Sequence, residues 1–163
     1  VNALMAMFSE RILAETPELD DEGVRMRFIG RREGVMPELL EQMRWAEERT
    51  GANDRITLFV AFNYGGRAEI VDAVRSLVEA GVKPDKIDEK AIRAHLYQPD
   101  IPDPDLVVRT SGEFRISNFL LWELAYSELV FTDVLWPDFR REDLFEAVRE
   151  FQRRDRRFGA IDT

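Results

Sequence analysis

Two arginines and a serine follow an apolar stretch in the sequence "DLVVRTSGEFRISNF", residues 105–119. Arg109 and Arg115 stand six positions apart around a glycine turn, and Ser117 comes two positions later. Ligands of open α/β sheets bind beyond the carboxyl ends of the strands, and guanidinium forks match the geometry of phosphate. The spacing therefore predicts that the three side chains converge on one phosphate group. A pair between Arg109 and Glu113 is the alternative interpretation.

Glycines again follow an apolar run in "FNYGGRAEI", where Gly65 and Gly66 precede a helix predicted to begin at Arg67. Glycine lets the backbone approach an anion closely, and a helix N-terminus favours negative charge. The pair indicates either a second phosphate contact or only a tight turn. Arg31 and Arg32, after "FIG", fit either a similar anion site or a solvated pair.

One carboxylate is predicted to be shielded, because Glu128 lies in the apolar sequence "AYSELVF". A shielded carboxylate needs a cation or a metal partner. Mg²⁺ binds through one or two carboxylates and fills its remaining positions with phosphate and water, so Glu128 is a candidate magnesium ligand. A plain salt bridge is the alternative. The single histidine, His95, is predicted to have a surface or packing role, and no Ser-His-Asp or Cys-His arrangement can be assembled.

Apolar residues at helical or alternating spacing predict the elements that position these side chains. Helices are expected over residues 2–15, 37–49, 67–80, 88–96, 118–124 and 140–156, with Pro17 ending the first and Ser117 capping the fifth. Strands are expected in "GVRMRFIG", with one wet face, in residues 55–62, buried on both faces, and in "DLVVR" and "LVFTDV". Strands alternating with helices predict an α/β fold, a parallel β-sheet flanked by helices, in a single domain over residues 1–163.

The composition excludes several classes of protein. Acidic residues outnumber basic ones, 32 against 23, and this net charge of −9 argues against nucleic acid as the main partner. The absence of cysteine excludes disulfides and thiolate metal sites. No apolar run approaches the roughly 20 residues that span a bilayer, and no signal peptide is apparent. We expect a cytoplasmic protein.

Several long motifs occur in the order of a known family: "RFIGRREGVMPELL", "FNYGGRAEI", "DLVVRTSGEFRISNFLLWELAYSELVFTDVLWPDF" and "RRDRRFG". They closely resemble cis-prenyltransferases, above all bacterial undecaprenyl diphosphate synthases, essentially from end to end. The resemblance implies a parallel-sheet α/β domain, usually a homodimer, with a hydrophobic tunnel. It also implies condensation of isopentenyl diphosphate with an allylic diphosphate such as farnesyl diphosphate, with Mg²⁺ as the cofactor. The long apolar product suggests contact with a membrane surface.

The resemblance also assigns roles by position. Arg109, Arg115 and Ser117 match the residues that hold isopentenyl diphosphate, and Glu128 matches the magnesium-linked glutamate of the family. Asn63, Gly66 and Arg67 match a motif that frames the site. Arg157 and Gly159 match a C-terminal element that reaches the neighbouring subunit's site. Ile56 matches a position at the far end of the tunnel, where side-chain size would affect product length.

The sequence departs from the family pattern in several places. Phe114 stands where some relatives place a histidine, and Glu69 where relatives often have aspartate. The family's "DGNxRWA" element, which carries the catalytic aspartate and the loop for the allylic diphosphate, is absent, as is the downstream asparagine-tryptophan element. We therefore expect the C-terminal part of a synthase, with little or no turnover as it stands. The alternative is a non-catalytic subunit that dimerises with a complete synthase, which an in-frame "DGNxRWA" upstream would eliminate.

Overall fold

The computed structural model describes residues 2–154, which form five α-helices, four β-strands and three short 3₁₀ turns. The helices are α1 (Asn2–Asp21), α2 (Pro37–Arg49), α3 (Gly66–Glu79), α4 (Glu89–Arg93) and α5 (Arg141–Gln152). The strands are β1 (Val24–Ile29), β2 (Ile56–Ala61), β3 (Leu106–Arg109) and β4 (Glu128–Phe131), and the 3₁₀ turns cover Pro84–Lys86, Glu123–Tyr126 and Trp136–Asp138. None of these helices combines the length and the apolar character that a membrane span requires.

The four strands form two parallel pairs. β1 lies beside β2, in a register that opposes Val24 to Ile56, and β3 lies beside β4, in a register that opposes Arg109 to Phe131. Parallel pairing places the carboxyl ends of both strands of a pair at the same edge. The predicted α/β class with parallel strands and flanking helices is therefore confirmed, and the loops after β3 and β4 meet at one edge.

The largest apolar cluster lies between β1 and the helices α1 and α2. Leu39, Met43 and Ala46 on α2 are almost fully buried, and they pack with Met26 and Phe28 of β1. The alternation predicted for β1 is confirmed, since its arginines point away from this cluster and are only partly buried. This core packs β1 against α1 and α2, and the loop that follows begins at the buried Ile29.

The prediction that Pro17 ends the first helix is wrong, because α1 continues through this residue to Asp21. A proline inside a helix removes one backbone hydrogen bond and costs roughly 3 kcal/mol. Contacts beyond the proline offset that cost. The Asp20 carboxylate accepts hydrogen bonds from Arg49 Nε at 3.0 Å and from Asn53 Nδ2 at 2.9 Å, so tertiary anchoring outweighs the local signal.

The prediction that residues 55–62 are buried on both faces is wrong for the part of the chain that the structure describes. Ile56 is 60% exposed and Leu58 is 40% exposed. Within residues 2–154, β2 pairs with β1 along one edge, and α1 and α2 pack against β1. An apolar run predicts a strand correctly, but by itself it does not show that other elements of the chain cover both faces.

Candidate anion-binding site

The candidate site begins where β3 ends, at Arg109. The next residues reverse the chain, with Ser111 at φ 68° and Gly112 at φ 63° in the left-handed region. The end of β4 fixes this turn, because the Gly112 amide donates to the Thr132 carbonyl at 2.9 Å. A Cβ atom at Gly112 would lie 2.8 Å from Asp133 Oδ1. Both the positive φ and the close approach favour glycine here.

Arg109 and Arg115 converge on one carboxylate. Arg109 Nη2 donates a hydrogen bond to Glu113 Oε2, and Arg115 Nη2 lies 2.5 Å from Glu113 Oε1. The hydrogen bond from Arg109, supported by the charge of Arg115, lowers the pKa of Glu113 below its usual value. The alternative pairing of Arg109 with Glu113 therefore occurs, and the same carboxylate also brings the second arginine to this point.

A cavity of about 150 Å³ opens beside the two arginines. Both guanidinium side chains line it, and the rest of its wall is apolar, including Val108, Ile116 and Phe119. Arg109 is 26% exposed in its side chain and Arg115 60%, so the cations are reachable from solvent. The arrangement suits a ligand with an anionic head and a short apolar body.

The predicted helix over residues 118–124, capped by Ser117, is wrong. Ser117, Asn118 and Leu120 have φ values of 48°, 63° and 44°, which belong to the left-handed region and cannot start a right-handed helix. Only the 3₁₀ turn Glu123–Tyr126 forms. Ser117 itself is exposed, and it follows Ile116, which lines the cavity beside the arginines.

The glycine pair accommodates another part of the protein. The Gly66 amide donates to the Asn118 carbonyl at 2.7 Å, and the Arg67 amide donates to Asn118 Oδ1 at 2.9 Å. A Cβ atom at Gly66 would lie 2.9 Å from the backbone nitrogen of Leu121. The amides at the start of α3 thus bind the loop after β3, and the turn is tight because that loop approaches it.

The other two residues of the framing motif, Asn63 and Arg67, do not line the cavity beside the arginines. Asn63 follows β2 with φ 51°, and its Nδ2 donates to the carbonyls of Arg31 and Glu33 at 3.0 and 3.1 Å. It therefore ties the loops after β1 and β2 together. The Arg67 side chain is exposed at the first turn of α3.

The arginine pair after β1 is engaged within the protein. Arg31 makes two hydrogen bonds of 2.8 Å to Asp72, which also accepts from the Tyr97 hydroxyl at 2.7 Å and from Arg75 Nη1 at 3.4 Å. The bond from Arg31 lowers the pKa of Asp72 to about 2. Arg32 donates to the Phe28 carbonyl at 3.2 Å. The structure thus favours neither an open anion site nor a freely solvated pair at these residues.

Glu128 lies at the other end of the β3–β4 pair from Arg109. It opens β4 opposite Leu106, whereas Arg109 stands opposite Phe131, so three residue steps or roughly 10 Å separate the two along the strands. Its Oε2 atom accepts a hydrogen bond from Arg154 Nη1 at 2.8 Å. No group of three or more His, Cys, Asp or Glu side chains in residues 2–154 could hold a metal ion.

Two buried glutamates, Glu69 and Glu123, line a second cavity of about 160 Å³. Glu69, 3% exposed, accepts hydrogen bonds from the Tyr64 hydroxyl and from the Tyr97 amide. Glu123 is 7% exposed, and its Oε2 atom has no hydrogen-bond partner among the described residues. Burial, aided by the nearby charge of Glu69, raises the pKa of Glu123. The sequence signal for the burial of Glu123 is the apolar character of its neighbours in "FLLWELAY".

Glu123→Gln should stabilise the protein at high pH. Because the pKa of Glu123 is raised in the folded state, its contribution to stability is present below about pH 4.5 and is lost as the pH rises through the folded-state pKa. We expect the variant to exceed the unchanged chain at pH 8 by roughly 1–3 kcal/mol in free energy of unfolding, and to match it near pH 4.5. Urea unfolding at both pH values, with the exposed Glu10→Gln as control, measures this. If Glu123→Gln and the unchanged chain were equally stable at pH 8, a destabilising charge on the buried Glu123 would be contradicted.

Two predicted residues fall outside the part of the chain that the structure describes, namely Arg157 and Gly159. The predicted packing role of His95 agrees with its surroundings, since its Nδ1 atom lies 2.8 Å from the Ser76 hydroxyl. Within residues 2–154, the structure therefore gathers Arg109 and Arg115, places Ser117 on the adjoining loop, and leaves Glu128 apart.

Comparison with known proteins finds extensive similarity. The family described as putative undecaprenyl diphosphate synthase matches residues 1–159. The isoprenyl transferase of Thermotoga maritima is 48% identical over 99% of this chain and 70% of its own length. Isoprenyl transferase 1 of Streptomyces coelicolor is 49% identical over 98% of this chain and 59% of its own length. The chain thus spans 70% of the first relative's length and 59% of the second's.

A solved structure shows the same fold. The crystal structure of lavandulyl diphosphate synthase from Lavandula x intermedia, in complex with dimethylallyl diphosphate, superposes with a TM-score of 0.91 at 35% identity. The match covers 98% of this chain and 71% of that one. The similarity therefore extends through both strand pairs and the loops at their carboxyl ends.

Proposed function

The chain belongs to the undecaprenyl diphosphate synthase family, and from this premise we propose that it condenses isopentenyl diphosphate with an allylic diphosphate such as farnesyl diphosphate, extending a prenyl chain with cis double bonds. The observation that carries the proposal is the convergence of Arg109 and Arg115 beside an apolar cavity. An isoprenoid diphosphate combines the same two features, a multiply charged head and a short hydrocarbon body.

In the proposed complex, the diphosphate of isopentenyl diphosphate binds both guanidinium groups and the Ser117 hydroxyl donates a further hydrogen bond. Glu113 already shows that two anionic oxygens fit between the arginines. Charge-assisted hydrogen bonds contribute roughly 1.5–3 kcal/mol each, which suffices to hold a diphosphate against its hydration. The apolar wall then orients the isopentenyl group and excludes water from it.

Magnesium dependence is a family expectation, and the described residues do not fit an ion shared between Glu128 and a diphosphate on Arg109 within one chain. The two residues stand at opposite ends of the strand pair, and Glu128 already neutralises Arg154. Glu128 as a magnesium ligand therefore stays a prediction, and no step of the proposed reaction is assigned to the ion.

The proposal extends to the partner and the product. Large exposed side chains near β3 and β4, among them Phe114, Tyr126 and Trp136, support a contact with a second copy of the chain, in which Arg157 and Gly159 would approach the partner's site. Ile56, which is exposed at the start of β2, keeps its predicted role in limiting product length. We place the reaction in the cytoplasm, with peripheral membrane contact through the lipid product.

A hybrid protein tests the function. Residues 1–163 replace the matching segment of the Thermotoga maritima isoprenyl transferase, and the hybrid is incubated with labelled isopentenyl diphosphate, farnesyl diphosphate and Mg²⁺. We expect incorporation of label into long prenyl products, and a loss of kcat/KM for isopentenyl diphosphate in the Arg115→Ala hybrid. A folded hybrid without turnover would contradict the proposal. Activation of a complete synthase by the added chain would then favour the non-catalytic subunit.

A further inference from the structure

Asn118 joins the loop that follows β3 to the start of α3, although 51 positions separate it from Arg67. We propose that Asn118 is a positioning residue, which holds residues 115–120 in the conformation that binds the diphosphate. This inference rests on the proposed function and deepens it, because Arg115 and Ser117 lie on the loop that Asn118 anchors.

Asn118 supplies the cap that α3 lacks locally. The N-cap position of α3 is Gly65, which has no side chain to satisfy the first amides of the helix. The Asn118 carbonyl accepts from the Gly66 amide at 2.7 Å, and Asn118 Oδ1 accepts from the Arg67 amide at 2.9 Å. One residue thus satisfies two amides of the first turn, and each bond fixes a different part of Asn118.

The loop needs such an anchor because its backbone is strained. Ser117, Asn118 and Leu120 all have positive φ values between 44° and 63°. Residues other than glycine adopt these values at a cost of about 1–2 kcal/mol each, and they persist only where the surroundings hold them. Asparagine tolerates the left-handed region better than most residues. Without the two bonds to α3, we expect the loop to relax and to move Arg115 and Ser117.

The glycine pair completes the anchor from the other side. A Cβ atom at Gly65 would lie 2.8 Å from Asn118 Nδ2. The amide of Asn118 therefore packs against a surface from which side chains are absent, and its Oδ1 atom is directed at the Arg67 amide. This geometry assigns the Oδ1 atom of Asn118 to positioning.

Three substitutions separate the two properties of Asn118. Asn118→Asp keeps the Oδ1 acceptor and the tolerance of positive φ, Asn118→Gly keeps only the tolerance, and Asn118→Ala loses both. We expect Kd for isopentenyl diphosphate to change less than about threefold in the aspartate variant, and to rise about tenfold or more in the alanine variant. The glycine variant should lie between them.

The Kd values are measured by calorimetry on the unchanged full chain and its variants, at a temperature where circular dichroism shows each to be folded. The matched control is Asn53→Ala. Asn53 also anchors backbone, with hydrogen bonds to Asp20 and Val24, but it lies beside the start of β1 and not on the loop after β3. Asn53→Ala should lower the melting temperature without changing Kd. A purely structural Asn118 would behave in the same way.

Unchanged Kd in Asn118→Ala, or a loss in Asn118→Asp equal to that in Asn118→Ala, overturns the positioning role. The Arg115→Ala variant distinguishes this failure from a failure of the proposed function. If Arg115→Ala weakens binding and Asn118→Ala does not, only the positioning role is wrong. If neither weakens binding, the site itself has been misassigned.

Discussion

Alanine at Arg109 or at Arg115 should weaken binding of isopentenyl diphosphate by roughly 10- to 100-fold. Each substitution removes one charge-assisted hydrogen-bonding group, worth roughly 1.5–3 kcal/mol, and 1.4 kcal/mol corresponds to a factor of ten in Kd. Isothermal titration calorimetry on the folded chain measures the change. Arg115→Lys should give an intermediate loss, because lysine keeps the charge but not the planar fork.

The double variant tests whether the two arginines act as a unit. Both arginines contact Glu113. When one arginine is removed, the Glu113 carboxylate competes with the ligand for the remaining arginine alone. We therefore expect the double variant to lose less binding free energy than the sum of the two single losses. Arg75→Ala, on the exposed side of α3, is the control and should bind normally. Unaltered Kd in both single variants would refute the site.

Gly66→Ala should destabilise the fold by about 1–3 kcal/mol, the usual cost of overpacking. The new Cβ atom would lie 2.8 Å from Leu121 Cγ and 2.9 Å from the Leu121 backbone nitrogen. A backbone atom cannot move without displacing the loop, and so the loop must separate from α3. Urea unfolding measures the loss, and binding of isopentenyl diphosphate should fall with it because Arg115 lies on the same loop.

The neighbouring glycine provides the control for this substitution. At Gly65 the new Cβ atom would meet Asn118 Nδ2, and turning that side chain aside costs the one bond from the Arg67 amide but leaves the loop backbone in place. We therefore expect Gly65→Ala to cost less stability than Gly66→Ala. Equal unfolding midpoints for Gly66→Ala and the unchanged chain would contradict a close contact between α3 and the loop.

Local signals in the sequence predicted most of the regular elements. Pro37 stands at the first turn of α2, and Gly81, with φ 70°, lies just beyond the end of α3, so both helices have local boundary signals. The alternation of arginine with Val24 and Met26 identified β1. These features act within a few residues of the chain, so neighbouring residue types are enough to reveal them.

The errors arose where distant residues override local preference. The sequence after Ser117 has helical periodicity, yet the chain there is left-handed because Asn118 binds the start of α3. Helix α1 passes Pro17 because Asp20 is held by α2 and the residues after it. Neither partner can be identified from spacing, since each contact joins segments 29 or more residues apart.

The candidate site was predicted in part for the same reason. Arg109 and Arg115 flank a glycine turn at the end of an apolar strand, which is a local pattern with a known consequence. The capping role of Asn118 depends on packing between elements, and the sequence did not show it. The burial of Glu123 had one sequence signal, its apolar neighbours, which does not reveal how the carboxylate is paired. The separation of Glu128 from Arg109 depends on the strand register, which residue types alone did not specify.

The most direct test of the account is a crystal structure of the chain with isopentenyl thiolodiphosphate, an analogue that keeps the diphosphate head. The account predicts diphosphate oxygens at about 2.8 Å from the guanidinium nitrogens of both Arg109 and Arg115, in the place that the Glu113 carboxylate now occupies. The hydrocarbon group should lie against Ile116 and Phe119. A diphosphate bound elsewhere, with Glu113 still between the two arginines, would contradict it.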